Sequence, residues 1–123
     1  MSLTPMVERN TETDLTALLK AAADPTRRAI LTLLAQYGPM RVTDLARRFE
    51  MSLNSVSKHI KTLESAGLVS RRTEWREHLI ELETGRIALI DAWFKDLRSI
   101  WDMRLEKLDT LMMETKDDDH ERP

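Results

Sequence analysis

Small polar and basic side chains are concentrated on one face of a predicted helix between Ser52 and Ala66. Apolar residues recur there every three or four positions, which is the spacing of one buried helical face: Leu53, Val56, Ile60 and Leu63. The outward face then carries Asn54, Ser55, Ser57, Lys58, Lys61 and Thr62. Asparagine can pair bidentately with adenine, and lysine can donate to guanine N7 or O6. This face therefore has the chemistry needed to contact base edges in DNA.

Residues around this helix supply candidate contacts to the DNA backbone. Ser52 is predicted to cap the helix at the end where backbone N–H groups and the helix dipole favour a phosphate. Arginines in the following segment can reach phosphates or the adjacent minor groove. The predicted DNA contacts are Arg41, Ser52, Asn54, Ser55, Ser57, Lys58, His59, Lys61, Arg71, Arg72, Trp75 and Arg76. Any one of these taken alone is more often an ordinary solvated or packed side chain, so the prediction depends on the group.

The elements predicted around this face form a helix-turn-helix followed by a hairpin. A helix over 43–49 precedes the helix over 53–66, and strands over 68–72 and 78–82 follow it, joined by a turn at 73–77. Such an arrangement is a winged helix, whose second helix enters the major groove. The predicted fold class is mostly α with a small β-hairpin, in the order α-α-α-α-β-β-α.

Two further helices are predicted ahead of this motif. The first spans 11–23. The second begins behind Asp24, which can accept backbone N–H bonds as an N-cap, and with Pro25, which suits the first helical position. Gly38 and Pro39 are predicted to end it.

A long amphipathic helix is predicted over 84–114, with apolar residues close to a heptad repeat. Because a helix of this length exceeds what a small domain needs for its own core, part of the stripe is expected to pack on a second copy of the chain. With the first helix included, the predicted dimer interface is Leu15, Leu18, Leu19, Ile90, Trp93, Phe94, Leu97, Ile100, Trp101, Leu108 and Leu111. A pocket for a hydrophobic effector is the competing interpretation of the stripe.

One domain accounts for most of the chain. It is predicted to span 11–114, with dimerisation helices at 11–23 and 84–114. A flexible N-terminus over 1–10 precedes it. A disordered acidic tail over 115–123 follows, because that segment is charged and has no apolar residue.

The net charge of −2 conceals an asymmetry along the chain. Residues 41–78 hold 8 basic and 5 acidic side chains, a net charge of +3. Residues 79–123 hold 7 and 12, a net charge of −5. Positive charge therefore gathers in the segment predicted to face DNA, and negative charge lies elsewhere.

Several classes of protein are excluded by composition. The chain has no cysteine, so it has no disulfide, thiolate metal site or cysteine nucleophile. It shows no nucleophile-and-base arrangement and no glycine-rich phosphate loop, so an enzyme is not expected. It also shows no signal-peptide pattern and no membrane-spanning apolar run, so a cytoplasmic protein is expected.

Three stretches resemble the ArsR family of bacterial winged helix-turn-helix repressors. They are ADPTRRAIL at 23–31, SLNSVSKHIKTLESAGLV at 52–69 and the arginine-bearing wing, and the similarity extends over about 15–113. The last helix is similar to a subgroup with a W-x3-L-x2-L pattern, supplied here by Trp101, Leu105 and Leu108. The resemblance implies a homodimer that pairs through its first and last helices. It also implies two recognition helices bound to an inverted repeat in a repressed promoter.

Two residues depart from the pattern of the family. Leu53 stands where a polar residue is common, and it either packs inward or contacts a thymine methyl group. Trp75 stands where the wing turn commonly has glycine. Its indole either presses on the sugar–phosphate backbone or packs back onto the dimer.

Many members of the family release DNA when a metal binds, but the ligand sets they use are missing here. There is no cysteine, and no histidine lies between Leu79 and Asp119. No metal or other cofactor is predicted. Regulation by an unknown small-molecule effector is an open alternative. The alternative to a DNA-binding regulator is a winged-helix module for protein contacts with weak or no DNA specificity.

Overall fold

The computed structural model describes the backbone of residues 5–121 and the side chains of residues 12–115. Its elements, in chain order, are α1 (Pro5–Ala22), α2 (Pro25–Tyr37), β1 (Met40–Arg41), α3 (Val42–Phe49), α4 (Leu53–Ser65), β2 (Val69–Glu74), β3 (Glu77–Leu82) and α5 (Ile87–Glu121). They divide into two compact units, residues 1–90 and residues 91–123. The element order confirms the predicted winged helix class and adds one short strand, β1.

The first helix begins earlier than the sequence pattern indicates. α1 starts at Pro5, so residues 5–10, predicted to be a flexible segment, are helical. The prediction relied on apolar spacing, which this segment lacks. Proline suits the first helical turn because it has no N–H to leave unpaired, and Met6, Glu8 and Arg9 are good helix formers. The helix propensity of these residues therefore explains why α1 begins at Pro5, although the spacing of apolar residues does not indicate it.

The start of α2 follows the prediction closely. Asp24 is the N-cap, and its Oδ2 accepts a hydrogen bond from the Arg27 backbone N–H at 3.0 Å. Pro25 occupies the first turn, where its missing N–H leaves no donor unpaired. The hydrogen bond from the Arg27 backbone N–H lowers the pKa of the Asp24 carboxyl below its ordinary value of 3.8 and outweighs burial, which raises that pKa. The nearby His59 and the charge of Arg27 lower it further.

Side chains of α2 also close the end of α1. Arg27 Nε donates to the Ala21 carbonyl at 2.7 Å. Arg28 Nη1 donates to the carbonyls of Ala22 and Ala23, at 2.7 and 2.8 Å. The last carbonyls of a helix have no partner within the helix itself. Two consecutive arginines supply those partners here, and they join the two helices at a short connection.

The helix-turn-helix is built from α3 and α4. Ser52 caps α4 as predicted, because its Oγ accepts from the Ser55 backbone N–H at 3.1 Å. Gly67 follows the helix with φ at +80°, and a Cβ there would lie 2.6 Å from Arg86 Cδ. Both the backbone conformation and the close approach therefore favour glycine at this position.

Three strands form an antiparallel sheet in the order β1-β3-β2. The hairpin turn is tighter than predicted, since β2 and β3 continue until Glu74 pairs with Glu77 and only Trp75 and Arg76 connect them. β1 was not predicted, because two residues carry no periodic signal of their own. Its pairing of Met40 with Ile80 depends on a strand 40 positions away.

The core of the first unit lies beneath the sheet and between the helices. Among the residues whose side chains are described, all of the buried ones in this unit are apolar: Leu18, Ala21, Ile30, Leu34, Leu45, Ala46, Val56, Ile60, Leu63, Ala66, Leu68, Val69 and Ile80. Leu53 is not among them, since 51% of its surface is exposed. The spacing of apolar residues correctly predicts three of the four inward positions on α4 and is wrong for Leu53. That residue opens the first turn of α4, beside the edge of the core.

The second unit is the continuation of α5 beyond residue 90. The helix begins three residues later than predicted and runs to Glu121, so the tail predicted to be disordered is helical over residues 115–121. Once a helix is established, each added residue needs only one further hydrogen bond, and no glycine or proline interrupts this segment. No helix among the described residues is long and apolar enough to cross a membrane.

Candidate nucleic-acid interface

The outward face of α4 is formed by Asn54, Lys58 and Lys61, all of them exposed. Behind them the buried face is anchored by Val56 and Ile60, which are fully enclosed in the core. Among the described residues, neither lysine has an ion-pair partner. The helix therefore presents hydrogen-bonding groups on a fixed backbone, with their donors available to a ligand.

The first turn of α4 holds the serines predicted to face a phosphate. Ser52 Oγ donates to Ser55 Oγ at 2.9 Å while it accepts the capping bond from the backbone. Ser57 is half-buried one turn further on. The hydroxyls of Ser52 and Ser55 lie at the positive end of the helix, where backbone N–H groups favour an anion.

His59 lies on the flank of α4, away from the three outward residues. Its Nδ1 is 3.3 Å from Arg27 Nη1 and 3.9 Å from Asp24 Oδ2. Its side chain is 22% exposed. The imidazole of His59 therefore packs against the start of α2, beside the outward face and not at its centre.

Two of the wing arginines form ion pairs with carboxylates. Arg71 pairs with Glu64 of α4 through Nη2 and Oε1 at 2.9 Å. Arg72 pairs with Glu74 at 3.4 Å and Glu81 at 3.8 Å. Sequence reasoning predicted the arginines but missed these partners, because nothing in the spacing of Glu64 and Arg71 marks a contact between a helix and a strand.

A further ion pair connects the first residue of β3, next to the wing tip, to the start of α3. Arg41 Nε lies 3.2 Å from Glu77 Oε2 and 4.0 Å from Asp44 Oδ2. A cavity of about 380 Å³ lies between the wing and α4 in this region. Its lining includes Arg41, Arg71, Arg76, His78, Leu53 and Ser57. Four predicted contact residues and Leu53 are thereby brought to one concave surface.

The tip of the wing consists of Trp75 and Arg76. Trp75 has φ at +60°, and 98% of its surface is exposed. Arg76 forms no ion pair within the described part of the chain. The tip therefore combines a solvent-facing indole with an adjacent cation.

Comparisons with known proteins identify this arrangement. A helix-turn-helix domain model matches residues 22–72. The HTH-type transcriptional regulator Rv2034 of Mycobacterium tuberculosis is 38% identical over 82 residues, which cover 67% of this chain and 73% of that protein. A crystal structure of an ArsR family transcriptional regulator is 32% identical, with a TM-score of 0.68, and the match covers 83% of this chain and 97% of that chain. The chain belongs to the ArsR family of transcriptional regulators.

Another ArsR-type structure bears on assembly. A homodimeric winged helix-turn-helix DNA-binding domain from Mycobacterium bovis is 28% identical, with a TM-score of 0.60. That match covers 80% of this chain and 88% of that chain.

The family membership confirms the predicted resemblance and makes this chain a DNA-binding transcription regulator.

The residues predicted to form the interface between two copies of this ArsR-family chain differ in solvent exposure. Leu18 is fully buried in the core of its own chain, which corrects its assignment to an interface between copies. Leu15 and Ile90 are half-buried, and Leu19 is exposed. On α5, the exposed members of the set are Trp93, Phe94, Leu97, Ile100, Trp101, Leu108 and Leu111. Periodicity identified apolar positions but could not indicate which of them the chain buries by itself.

Across the part of the chain that the structure describes, no group of three or more histidine or acidic side chains is placed to hold a metal ion.

Proposed function

We propose that this ArsR-family regulator is a homodimeric repressor that binds an inverted repeat, with α4 in the major groove and the wing on the flanking backbone and minor groove. The observation that carries the proposal is the outward face of α4. Asn54, Lys58 and Lys61 are exposed on a helix whose opposite side is locked into the core. A face of this kind matches the geometry by which helix-turn-helix proteins contact base edges.

In the proposed complex, the first turn of α4 binds phosphate. Ser52 and Ser55 lie at the helix end whose backbone N–H groups favour an anion. Asn54 and Lys58 then face the base edges, where asparagine prefers adenine and lysine prefers guanine. These phosphate contacts fix the position of the helix, and the base contacts supply the selectivity.

The wing is proposed to contact the backbone beside the major-groove site. Arg76 is the best-placed cation, since it has no carboxylate partner among the described residues. Arg41, Arg71 and Arg72 contribute after they exchange carboxylate partners for phosphate oxygens. Arg76 should therefore contribute more to DNA affinity than the three arginines that are already paired with carboxylates.

The homodimer is proposed to form through the apolar stripe of α5, with the exposed Leu19 of α1 contributing. Every described side chain of α5 from residue 91 to residue 115 is exposed in the single chain. The stripe includes Phe94, Leu97, Trp101 and Leu108, at alternating intervals that fit a helical seam. The homodimeric relative supports this assembly. Two copies would present two α4 helices to two half-sites.

Fluorescence anisotropy of the full chain on labelled duplexes tests the proposal. The probe is DNA from upstream of its own gene, and a scrambled duplex of the same length and composition is the reference. Binding is measured at two salt concentrations. We expect selective binding that weakens steeply with salt, because phosphate contacts release counterions.

A matched pair of variants separates the interface from general charge. Lys58→Ala removes a lysine from the proposed face, whereas Lys20→Ala removes an exposed lysine from α1. Only the first should reduce discrimination. Equal, weak binding of the wild-type protein to both duplexes would contradict the proposal and favour a winged-helix module for protein contacts.

Sedimentation of the full chain tests the assembly. A dimer at micromolar concentration is expected. Trp101→Glu should shift the protein towards monomer, because it places a carboxylate within the apolar stripe. Glu106→Gln on the same helix serves as the control. A wild-type protein that sediments as a monomer would contradict this part of the proposal.

A further inference from the structure

The indole of Trp75 has no packing role within the described residues. It is 98% exposed, and its φ of +60° is rare for a residue with a bulky side chain. Glycine adopts that conformation without strain, and glycine is favoured at the first position of a two-residue hairpin turn when its φ is positive. Both solvent exposure and backbone conformation therefore disfavour tryptophan in the isolated chain.

The two glutamates next to the tip each lie against an arginine other than Arg76. Glu74 lies 3.4 Å from Arg72, and Glu77 lies 3.2 Å from Arg41. Neither carboxylate is therefore paired with Arg76. Arg76 has no such partner among the described residues. The tip accordingly offers an aromatic surface and an uncompensated guanidinium side by side.

The tip also lies next to the proposed major-groove face. Arg76 lines the same cavity of about 380 Å³ as Leu53 and Ser57 of α4. A duplex bound to α4 would therefore pass close to the wing tip. A minor groove offers sugar and base surfaces for an indole, and its negative potential attracts an arginine.

We propose that Trp75 is a minor-groove wedge, which stacks on a sugar or a partly unstacked base step beside the sequence that α4 contacts, while Arg76 lies in the groove. This inference rests on the proposed function and adds a second source of selectivity to it. Flexible pyrimidine–purine steps open readily, whereas A-tracts are stiff. The protein therefore prefers certain flanking sequences that α4 does not contact.

The test uses a duplex selected by the full chain from a random-sequence pool. Two versions are made, with a TA step or an A-tract at the flanking position, and 2-aminopurine marks that position. Four proteins are compared: wild type, Trp75→Gly, Trp75→Phe and Tyr37→Ala. Tyr37 is the matched control, an exposed aromatic residue of α2 with 63% of its surface exposed.

We expect Trp75→Gly to weaken binding to the TA duplex about tenfold, which is the loss of affinity typical when one base loses its stacking on an aromatic side chain. The loss on the A-tract duplex should be smaller. Trp75→Phe should retain most of the affinity, and Tyr37→Ala all of it. The 2-aminopurine emission should rise with wild-type protein and stay unchanged with Trp75→Gly. Thermal unfolding of Trp75→Gly should occur no lower than that of wild type, because glycine suits the turn.

Two results would overturn the inference in different ways. If Trp75→Gly binds both duplexes as tightly as wild type, Trp75 does not contact DNA, although the proposed regulator function stands. If wild-type protein does not distinguish the selected duplex from a scrambled one, the proposed function fails and the wedge fails with it. Retained affinity together with a changed sedimentation coefficient would place the indole against a second protein chain.

Discussion

The outward face of α4 and the wing carry similar cations but hold them differently. Lys58 and Lys61 have no ion-pair partner within the described residues, whereas Arg71 is bound to Glu64 at 2.9 Å. Arg72 is likewise shared between Glu74 and Glu81. A phosphate must displace these carboxylates before it gains the full attraction of the arginine. Equal numbers of cations in two regions therefore do not imply equal contributions to DNA affinity.

The largest effect is expected on the α4 side of the comparison. Lys58→Ala should remove most of the sequence preference and reduce specific affinity by about 5- to 150-fold, the range for loss of one good base contact. Affinity for scrambled DNA should change far less. Anisotropy titrations on both duplexes provide the measurement. Full discrimination by Lys58→Ala would show that the recognition face is wrongly assigned.

Arg76→Ala should have the next largest effect, and it should act on all duplexes alike. Loss of one guanidinium without a carboxylate partner, attracted by the phosphates and the negative potential of the groove between them, is expected to weaken specific and scrambled binding by about fivefold. The slope of log affinity against log salt should become shallower by about 1. A salt series for the variant and wild type checks this. A loss restricted to the specific duplex would instead indicate a base contact.

Arg72→Ala should weaken all DNA roughly equally but only by about twofold, because its charge is already shared with two carboxylates. The same salt series as for Arg76→Ala gives the comparison. If Arg72→Ala weakens binding more than Arg76→Ala does, the intramolecular ion pairs do not persist in solution. The difference between α4 and the wing would then disappear.

The smallest effect is expected on the flank of α4, where His59 Nδ1 lies 3.9 Å from Asp24 Oδ2. Because the folded state lowers the pKa of Asp24, the ionised carboxylate stabilises the fold above its ordinary value of 3.8. That stabilisation is lost as the pH falls through the lowered value. Asp24→Asn keeps a capping oxygen without a titrating group. Thermal unfolding from pH 7 to pH 2.5 should therefore decline less for the variant than for wild type, and parallel curves would contradict the assignment.

Local signals predicted the elements that depend on local physics. Asp24, Pro25 and Ser52 mark helix starts because capping involves residues only a few positions apart. The buried positions Val56, Ile60 and Leu63 follow from a period that the helix imposes. These features required no knowledge of the remainder of the fold.

Features that depend on distant residues could not be predicted in this way. β1 exists because residues 40–41 meet β3, and no pattern within two residues indicates a strand. Leu18 and Leu19 look equivalent in sequence, yet only the packing of neighbouring helices determines that Leu18 is buried. The turn at Trp75 was predicted too long, because the glycine or asparagine that usually marks a two-residue turn is missing.

The small strand β1 has a consequence for how a signal could reach the DNA. It pairs with the middle of β3, Met40 with Ile80 and Arg41 with Leu79, and Arg41 Nε also lies 3.2 Å from Glu77 Oε2 near the tip of the wing. The strand pairing and the ion pair both connect the wing to the helix-turn-helix, so we expect the two to move together. In the proposed dimer, we expect any effector to change the distance between the two winged-helix units. The conformation within each unit would stay the same.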